Sequence, residues 1–338
     1  MRKKPFLLEN HWYRCSLSGL TVFLLPFSWL FALLVALRYF FYRHVKKSLA
    51  FSVPVIVVGN ITVGGTGKTP FVIALTQFLQ KHGFRPGIVS RGAGGVQFKK
   101  PYWVDVAADP AIVGDEALLL ARRTACPLVV CWDRVSAVQE ILRKTDCNII
   151  ISDDGLQHYR LARALEIVII DGERKFGNGH LLPAGPLREP ITRLDRVDLI
   201  VINGQQENFM QRWQEKVSHM SLQGDQLISL QNADSMQPLA NFRHSKVHAV
   251  AGIGNPERFF TLLRKHNIEL IEHVFADHYL YQAEDLEFFD DLPIIMTEKD
   301  AVKCQRFAKA QFWYLPVTAD ISDTEQTLER WRQHYAYN

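Results

Sequence analysis

A lysine and a threonine with the spacing of a phosphate-binding motif follow a glycine-rich loop. The run Val55 to Val58 has the β-branched composition of a buried parallel strand. It is followed by Gly-Asn-Ile-Thr-Val-Gly-Gly-Thr-Gly and then by Lys68 and Thr69. From Phe71 onward the apolar residues repeat with a helical period. In such a unit, glycine amides and the helix N-terminus hold phosphate, Lys68 reaches the terminal phosphates, and Thr69 ligates Mg²⁺. The sequence therefore predicts a nucleoside triphosphate site; the alternative is an ordinary glycine-rich turn before a helix.

The loop departs at one position from the usual P-loop pattern, which begins with glycine. Thr62 stands there, and Gly64 and Gly65 lie inside the loop instead. We predict that the whole loop contacts the nucleotide, namely Thr62, Val63, Gly64, Gly65, Thr66, Gly67, Lys68 and Thr69.

Two adjacent acids follow a second buried strand. The segment Asn148 to Ser152 is mostly isoleucine and ends in Asp153-Asp154-Gly155. An acid at the end of such a strand can hold Mg²⁺ beside the P-loop threonine. The alternative is an Asp-Gly turn with no ligand.

Two further places carry polar groups that have plain structural explanations. Arg91 lies in a Ser-Arg-Gly turn after another predicted strand, where it is either a ligand-binding or a solvated loop residue. Asp115 and Glu116 open a predicted helix, where two carboxylates complement the helix dipole. From the residues alone, the dipole explanation is the better one for this acidic pair.

The composition is that of a globular protein with more than one core. The chain has 338 residues, of which 48% are hydrophobic and 22% charged. Residues 1–50 contain eight Lys or Arg residues against the single acid Glu9, so the remainder has a net negative charge. A basic body for nucleic acid is therefore absent. The five cysteines are odd in number and include no Cys-x-x-Cys, which favours reduced thiols in a cytosolic body.

The basic N-terminus surrounds a long apolar segment. Cys15 to Leu37 contains no charged residue and is just long enough to cross a bilayer, although Pro26 should kink it. Aromatic residues from Trp29 to Tyr42 suit the headgroup region. We expect membrane contact, either spanning or lying in the cytoplasmic leaflet; a buried core helix is the alternative.

Alternating strands and helices predict parallel sheets in both halves of the chain. We therefore expect an α/β protein with a P-loop NTPase-like parallel sheet domain, a second, smaller α/β domain and an N-terminal membrane-associated helix. The polar, weakly periodic region after residue 203 is where we place the domain boundary. The predicted division is 1–50, 51–205 and 206–338, with the last part closing over the active site.

Several motifs in this order closely resemble the tetraacyldisaccharide 4′-kinase family, the lipid A 4′-kinases of Gram-negative bacteria, and the resemblance covers nearly the whole chain. Besides the P-loop, whose initial threonine is common in that family, the motifs are Ser90-Arg91-Gly92, Gly114-Asp115-Glu116, Asp153-Asp154-Gly155-Leu156-Gln157-His158, Phe176-Gly177-Asn178-Gly179, Leu182-Pro183-Ala184-Gly185-Pro186-Leu187-Arg188-Glu189, Ala276-Asp277-His278 and Met296-Thr297-Glu298-Lys299-Asp300-Ala301-Val302-Lys303-Cys304.

The resemblance implies an ATP- and Mg²⁺-dependent kinase. The γ-phosphate would pass to the 4′-hydroxyl of tetraacyldisaccharide 1-phosphate, giving the 4′-phosphorylated lipid A precursor, lipid IVA. The enzyme would act at the cytoplasmic face of the bacterial inner membrane, with no obligate protein partner and no nucleic acid.

The resemblance also implies roles for individual residues. Asp115 would be the base on the sugar hydroxyl, His278 its partner and Lys68 the phosphate-binding catalytic lysine, which replaces the dipole explanation of Asp115. Thr69, Glu116 and Asp153 would lie at Mg²⁺, and Arg91, Asp154, Gln157 and His158 would bind substrate.

Two other classes of function stay open at this point. One is a membrane-tethered P-loop nucleotide switch, and the other is a kinase of another glycolipid. A guanine-reading switch needs Asn/Thr-Lys-x-Asp, whereas Thr297-Glu298-Lys299-Asp300 has its lysine one place late. The same four residues have the spacing of a helix-capping box.

Overall fold

The computed structural model describes residues 9–13, 18–46, 48–204 and 208–336. Residues 15–17, the start of the predicted apolar segment, lie outside the described residues, as do Arg2, Lys3, Lys4, Arg14 and Lys47 of its basic flanks.

Strands and helices alternate through most of the described chain, as the sequence predicts. The strands are β1 Val55–Gly59, β2 Pro86–Ser90, β3 Tyr102–Trp103, β4 Leu128–Val130, β5 Ile149–Asp153, β6 Leu165–Asp171, β7 Leu199–Asn203, β8 Val217–Gln223, β9 Gln226–Ser229, β10 Met236–Pro238, β11 Lys246–Ala251, β12 Glu269–Val274, β13 Ile294–Thr297, β14 Phe312–Leu315 and β15 Thr318–Asp320. The α-helices are α1 Glu9–Trp12, α2 Gly19–His44, α3 Lys68–Lys81, α4 Pro110–Val113, α5 Asp115–Thr124, α6 Arg134–Lys144, α7 Pro256–Lys265, α8 Glu298–Cys304 and α9 Ser322–Ala336. Short 3₁₀ helices cover Ile191–Arg196, Asn208–Lys216, Leu239–Phe242, Ala283–Leu286 and Gln305–Phe307.

The first domain is built on a sheet with the strand order β15-β8-β7-β6-β1-β5-β2-β4-β3. Strands β8, β7, β6, β1, β5, β2 and β4 are parallel, and the edge strands β3 and β15 are antiparallel to their neighbours. Parallel strands deliver their following residues to one edge. The P-loop after β1, Ser90 at the end of β2 and Asp153 at the end of β5 therefore lie at the same edge.

The second domain is a smaller α/β unit with the strand order β10-β9-β14-β13-β11-β12. Strands β12, β11, β13 and β14 are parallel, whereas β9 and β10 pair in the antiparallel sense. Its core lies between the sheet and α7, where Phe260, Leu263 and Ile295 are fully buried. The predicted fold class is therefore confirmed.

The division between the sheets does not fall at the predicted boundary of 205/206. Strand β8 pairs with β7 in the first sheet, and β15, near the C-terminus, pairs with β8. Met220, Ala319 and Leu328 belong to the same core cluster as Phe71 of α3. Strand β8 lacks a clear apolar pattern in the sequence because its inward positions include Ser218, whose hydroxyl lies 2.8 Å from that of Thr324.

Helix α2 is the single described helix that is long and apolar enough to cross a membrane by length and composition. It begins at Gly19, four residues after the predicted start, and it contains Pro26. One side contacts the first domain: the Ser28 hydroxyl donates to the Leu181 carbonyl at 2.8 Å, and Tyr39 packs edge-on against Tyr159. The other side exposes large apolar residues, including Phe23, Trp29, Leu33, Leu37 and Phe40.

Candidate active site

A cavity of about 1370 Å³ lies between the two domains. The first domain lines it with P-loop residues 63–69, Glu116 and Asp154. The second domain lines it with residues 253–260, 274–278 and 297–299. A volume of this size can hold a nucleotide together with part of a second substrate.

The P-loop has the strand–loop–helix geometry that the sequence predicts. Strand β1 is fully buried, Gly67 has a φ of 94°, and α3 begins at Lys68. Lys68 Nζ lies 3.6 Å from Asp154 Oδ1 at the cavity wall. Thr62, in contrast, is buried, forms a bridge with Leu187 and does not line the cavity. Its position indicates a role in holding the start of the loop.

The two acids after β5 have different environments. Asp153 is buried, and the Ser90 hydroxyl donates to it at 3.0 Å. Burial, together with the nearby charges of Glu116 and Asp154, raises the pKa of Asp153 to about 7. Burial also raises the pKa of Asp154, but Lys68 and Arg188 outweigh it and bring that pKa below its usual range. Arg188 donates to both Asp154 oxygens, at 3.2 and 3.1 Å.

These carboxylates fit the donor set that a magnesium site needs. Mg²⁺ prefers oxygen ligands and usually keeps phosphate or water in part of its shell. Asp153 and Glu116 repel each other electrostatically, and a divalent cation between such groups stabilises both. Among residues 9–13, 18–46, 48–204 and 208–336, no three His, Cys, Asp or Glu side chains form a metal-ligand group. The remaining ligands would therefore come from Thr69 and from the nucleotide.

Asp115 and His278 meet across the cleft. Asp115 is the first residue of α5 and is 2% exposed, and His278 follows β12 in the second domain. His278 Nδ1 and Asp115 Oδ1 lie 2.8 Å apart. His278 has a φ of 59°, and a Cβ on Gly94 would lie 2.7 Å from its Nδ1, so only glycine allows this approach.

Two lysines of α8 surround the acids of α5. Lys299 Nζ lies 3.0 Å from Glu116 and 2.9 Å from Asp277. Lys303 Nζ lies 3.4 Å from Asp115 Oδ2 and 2.8 Å from the buried Asp300. Burial raises the pKa of Asp115, but the hydrogen bond with His278 and the charges of the two lysines outweigh it, so this pKa lies below its usual range. Asp115 is therefore ionised at neutral pH.

The predicted substrate-binding residues do not all reach the cavity. Arg91 is exposed and lies over the Trp132 ring at 4.4 Å, outside the cavity wall. Gln157 donates to Glu189 and to the Asn60 carbonyl, at 2.7 and 3.1 Å.

His158 is also removed from the cavity. Its Nε2 lies 3.4 Å from Asp133, and burial and the charge of Arg134 lower its pKa to about 4. It is therefore neutral at pH 7. Of the four predicted residues, Asp154 alone lines the cavity.

Several side chains that contact the site have no role predicted from the sequence. Arg188 lies in one of the family motifs, but no local pattern in the sequence links it to Asp154. Lys299 lies in the predicted capping box, of which the structure shows one half: the Asp300 amide donates to the Thr297 hydroxyl at 3.2 Å, whereas the Asp300 carboxylate accepts from the Gly252 amide. Helix capping explains Thr297 and Asp300 but gives no reason for Lys299 between them. Lys299 was therefore the residue in the sequence that could have indicated a further role in the site.

The parallel sheet has a P-loop after its central strand and an acid pair at the end of the neighbouring strand, and an acid–imidazole pair joins the two domains. Together these features define a P-loop phosphotransferase. A family model described as tetraacyldisaccharide-1-P 4′-kinase matches residues 20–335. The chain belongs to this family.

Individual relatives agree with this assignment. A tetraacyldisaccharide 4′-kinase of Nitrosococcus oceani is 50% identical over 316 residues, which cover 93% of this chain and 90% of the relative. Another, of Methylobacillus flagellatus, is 49% identical over 321 residues, covering 93% and 92%. A crystal structure of LpxK from Aquifex aeolicus in complex with ATP has a TM-score of 0.73 and 27% identity, and covers 92% of this chain and 99% of that one.

Proposed function

We propose that this chain is an ATP- and Mg²⁺-dependent tetraacyldisaccharide 4′-kinase. It transfers the γ-phosphoryl group of ATP to the 4′-hydroxyl of tetraacyldisaccharide 1-phosphate, and the product is the 4′-phosphorylated lipid A precursor, lipid IVA. In a chain of this family, the contact of Asp115 with His278 beside a cavity lined by the P-loop is the observation that carries the proposal.

Asp115 is the proposed base. As the 4′-oxygen forms its bond to the γ-phosphorus and the bond from phosphorus to the β,γ-bridging oxygen breaks, the hydroxyl proton passes to the carboxylate and ADP leaves. A positioned base of this kind typically contributes about 10²–10⁴-fold to the rate. His278 orients Asp115 by its 2.8 Å contact.

The charge on the phosphates is balanced by the first domain. Lys68 and the amides of the P-loop bind the β- and γ-phosphates, and Asp154 with Arg188 holds Lys68 in place. Thr69, Glu116 and Asp153 would hold Mg²⁺, which supplies charge neutralisation at the phosphate oxygens when bound. Closure of the second domain over the first would exclude water and so limit hydrolysis of ATP.

The acceptor is assigned to the edge of the first sheet that carries Arg91 and His158. The exposed Arg91 guanidinium suits an anionic group of the acceptor. Gln157 acts at this edge by holding Glu189 rather than by direct contact.

Helix α2 is assigned to the cytoplasmic leaflet of the inner membrane, lying on it rather than crossing it. Its contacts with the first domain extend from Ser28 to Tyr39, which is about 16 Å along the helix. A helix covered by protein on one side over that length cannot be surrounded by lipid, so the exposed apolar side would enter the leaflet. The acyl chains of the acceptor could then stay in the bilayer during transfer.

The test is transfer of label from ATP to lipid. Detergent-solubilised protein is incubated with γ-labelled ATP, Mg²⁺ and tetraacyldisaccharide 1-phosphate, and label is followed into the lipid. Lys68→Ala should abolish transfer, whereas Lys81→Ala, an exposed lysine at the other end of α3, should not. Label released as free phosphate, with none in the lipid, would favour a nucleotide switch and overturn the proposal. Transfer to a different glycolipid alone would overturn the assigned acceptor.

A further inference from the structure

A second set of contacts joins the two domains close to the P-loop. Asp171 and Asn203 are the last residues of β6 and β7, and they lie side by side in the register of the first sheet. Their exposed fractions are 3% and 2%. The start of α7, in the second domain, faces them with Asn255 and Arg258.

Asp171 accepts hydrogen bonds from both domains. Arg258 Nη2 donates to Asp171 Oδ1 at 2.8 Å and to the Asn203 carbonyl at 3.3 Å. Asn255 Nδ2 donates to Asp171 Oδ2 at 3.1 Å. The amides of Glu173 and Arg174, in its own domain, donate to Oδ1 at 3.0 and 3.1 Å. A buried carboxylate with this many donors, one of them cationic, fixes the position of the groups around it.

Asn203 extends this network to the P-loop. Its Nδ2 donates to the Thr66 carbonyl at 2.9 Å, and both groups are buried. The side chain thus holds the backbone of the loop immediately before the residues that start α3.

The turn before α7 contacts the P-loop from the other domain. A Cβ on Gly254 would lie 2.3 Å from the Gly65 nitrogen, so the two backbones touch. Arg174 Nη1 also donates to the Gly254 carbonyl at 2.5 Å. The P-loop is therefore held between Asn203 and the turn that Arg258 and Asn255 fix to Asp171.

We propose that Asp171, Asn203 and Arg258 form a positioning latch. This latch couples the position of the second domain to the backbone conformation of the P-loop. The latch rests on the proposed function only in that the reaction it serves is the proposed phosphoryl transfer. Measurements of ATP binding test the latch without reference to that reaction. These residues are positioning residues, because none of them lies at the proposed reacting atoms. Without Arg258, Asp171 loses its cationic donor and the α7 turn loses its anchor, so nucleotide binding must order a looser P-loop.

The test compares two arginines of α7. Arg258→Met removes the latch contact, whereas Arg264→Met removes an arginine that does not itself line the cavity and pairs with Glu257 and Glu272 instead of Asp171. ATP affinity is measured by calorimetry with Mg²⁺ present, and KM for ATP and for the lipid are measured separately. We expect Arg258→Met to weaken ATP binding about tenfold and to raise KM for ATP by a similar factor, with KM for the lipid unchanged. Arg258→Lys, which keeps the charge, should fall between wild type and Arg258→Met.

Asn203→Leu supplies the second arm, because it removes the Thr66 contact from the other side of the loop. If the two residues act through one latch, the double variant binds ATP less weakly than the product of the two single effects predicts. Fully multiplicative effects, or an Arg258→Met variant that binds ATP like Arg264→Met, would overturn the latch. A wild-type protein that binds ATP but does not phosphorylate the lipid would overturn the proposed function, and the affinity comparison would still decide the latch.

Discussion

Asp115, in the first domain, is the negative charge that contacts His278 and Lys303 of the second domain. The hydrogen bond with His278 and the lysines of α8 keep its pKa low despite burial. Burial lowers the pKa of His278, but the contact with Asp115 outweighs this effect and leaves the pKa of His278 above its usual value. The Asp115 carboxylate is therefore ionised at neutral pH, which is the form that can accept a proton.

We predict that Asp115→Asn lowers kcat by at least about 10²-fold, because the amide cannot accept the proton. His278→Ala should lower kcat less, because it removes the group that orients the base while the base itself stays. The measurement is steady-state transfer with both substrates saturating. Asp146→Asn is the control, since Asp146 pairs with Arg85 on the exposed surface. Wild-type turnover in both active-site variants would contradict the assigned base.

A stability prediction concerns Lys303, which is 5% exposed and lies between two buried acids. Lys303→Met leaves Asp115 and Asp300 without this cation, and breaking such a buried pair costs about 3 kcal/mol. Hydrogen exchange of the second sheet should show the lower free energy of opening. Lys309→Met removes an exposed pair with Glu287 and should change that free energy by less than about 1 kcal/mol. Equal effects of the two variants would show that burial of Lys303 has no energetic consequence.

At the level of helices and strands, the central strands and the P-loop could be predicted because the pattern that identifies each one lies within its own segment of the sequence. Strand β1 is wholly apolar and its loop and helix follow directly, so no distant residue is needed to recognise them. The contacts that complete the site are different in kind. Lys299 reaches Glu116, and Arg258 reaches Asp171, only because two domains fold against each other. A single sequence can point to a side chain such as Lys299, but it contains no local signal for the residue of the other domain that this side chain contacts.

The exposed apolar side of helix α2 allows a test of membrane binding. Leu33 and Leu37 lie on its exposed side, and replacing both with Asp places charges where we expect acyl chains. We predict that Leu33→Asp/Leu37→Asp strongly reduces cosedimentation with vesicles containing anionic lipid. The matched control is Val106→Asp/Met236→Asp, which changes two exposed apolar residues elsewhere. Equal binding of both variants would contradict a membrane role for this side of α2.

At the scale of the whole molecule, the chain leaves the first domain after β8 and returns to it at β15. Gln223 and Thr318 are partners at the two crossing points, so the second domain is inserted between two adjacent strands. All six strands of the second sheet lie between residues 226 and 315. The two domains are joined by two neighbouring chain segments. The domains can therefore move relative to each other while β8 and β15 stay paired.

This topology predicts which fragments fold. A chain of residues 48–205 follows the sequence-based boundary but lacks β8, β15 and α9, whose Met220, Ala319 and Leu328 complete the core around α3. We expect it to be aggregated or molten. Residues 48–224 joined to 317–336 by a short glycine-rich turn restore those elements, because Gln223 and Thr318 are already paired, and this chain should unfold cooperatively in urea, as should residues 226–315 alone. The comparison needs only circular dichroism and urea titration of the three chains. Cooperative unfolding of 48–205 with the same midpoint as the joined chain would show that the returning C-terminal elements do not stabilise the first domain.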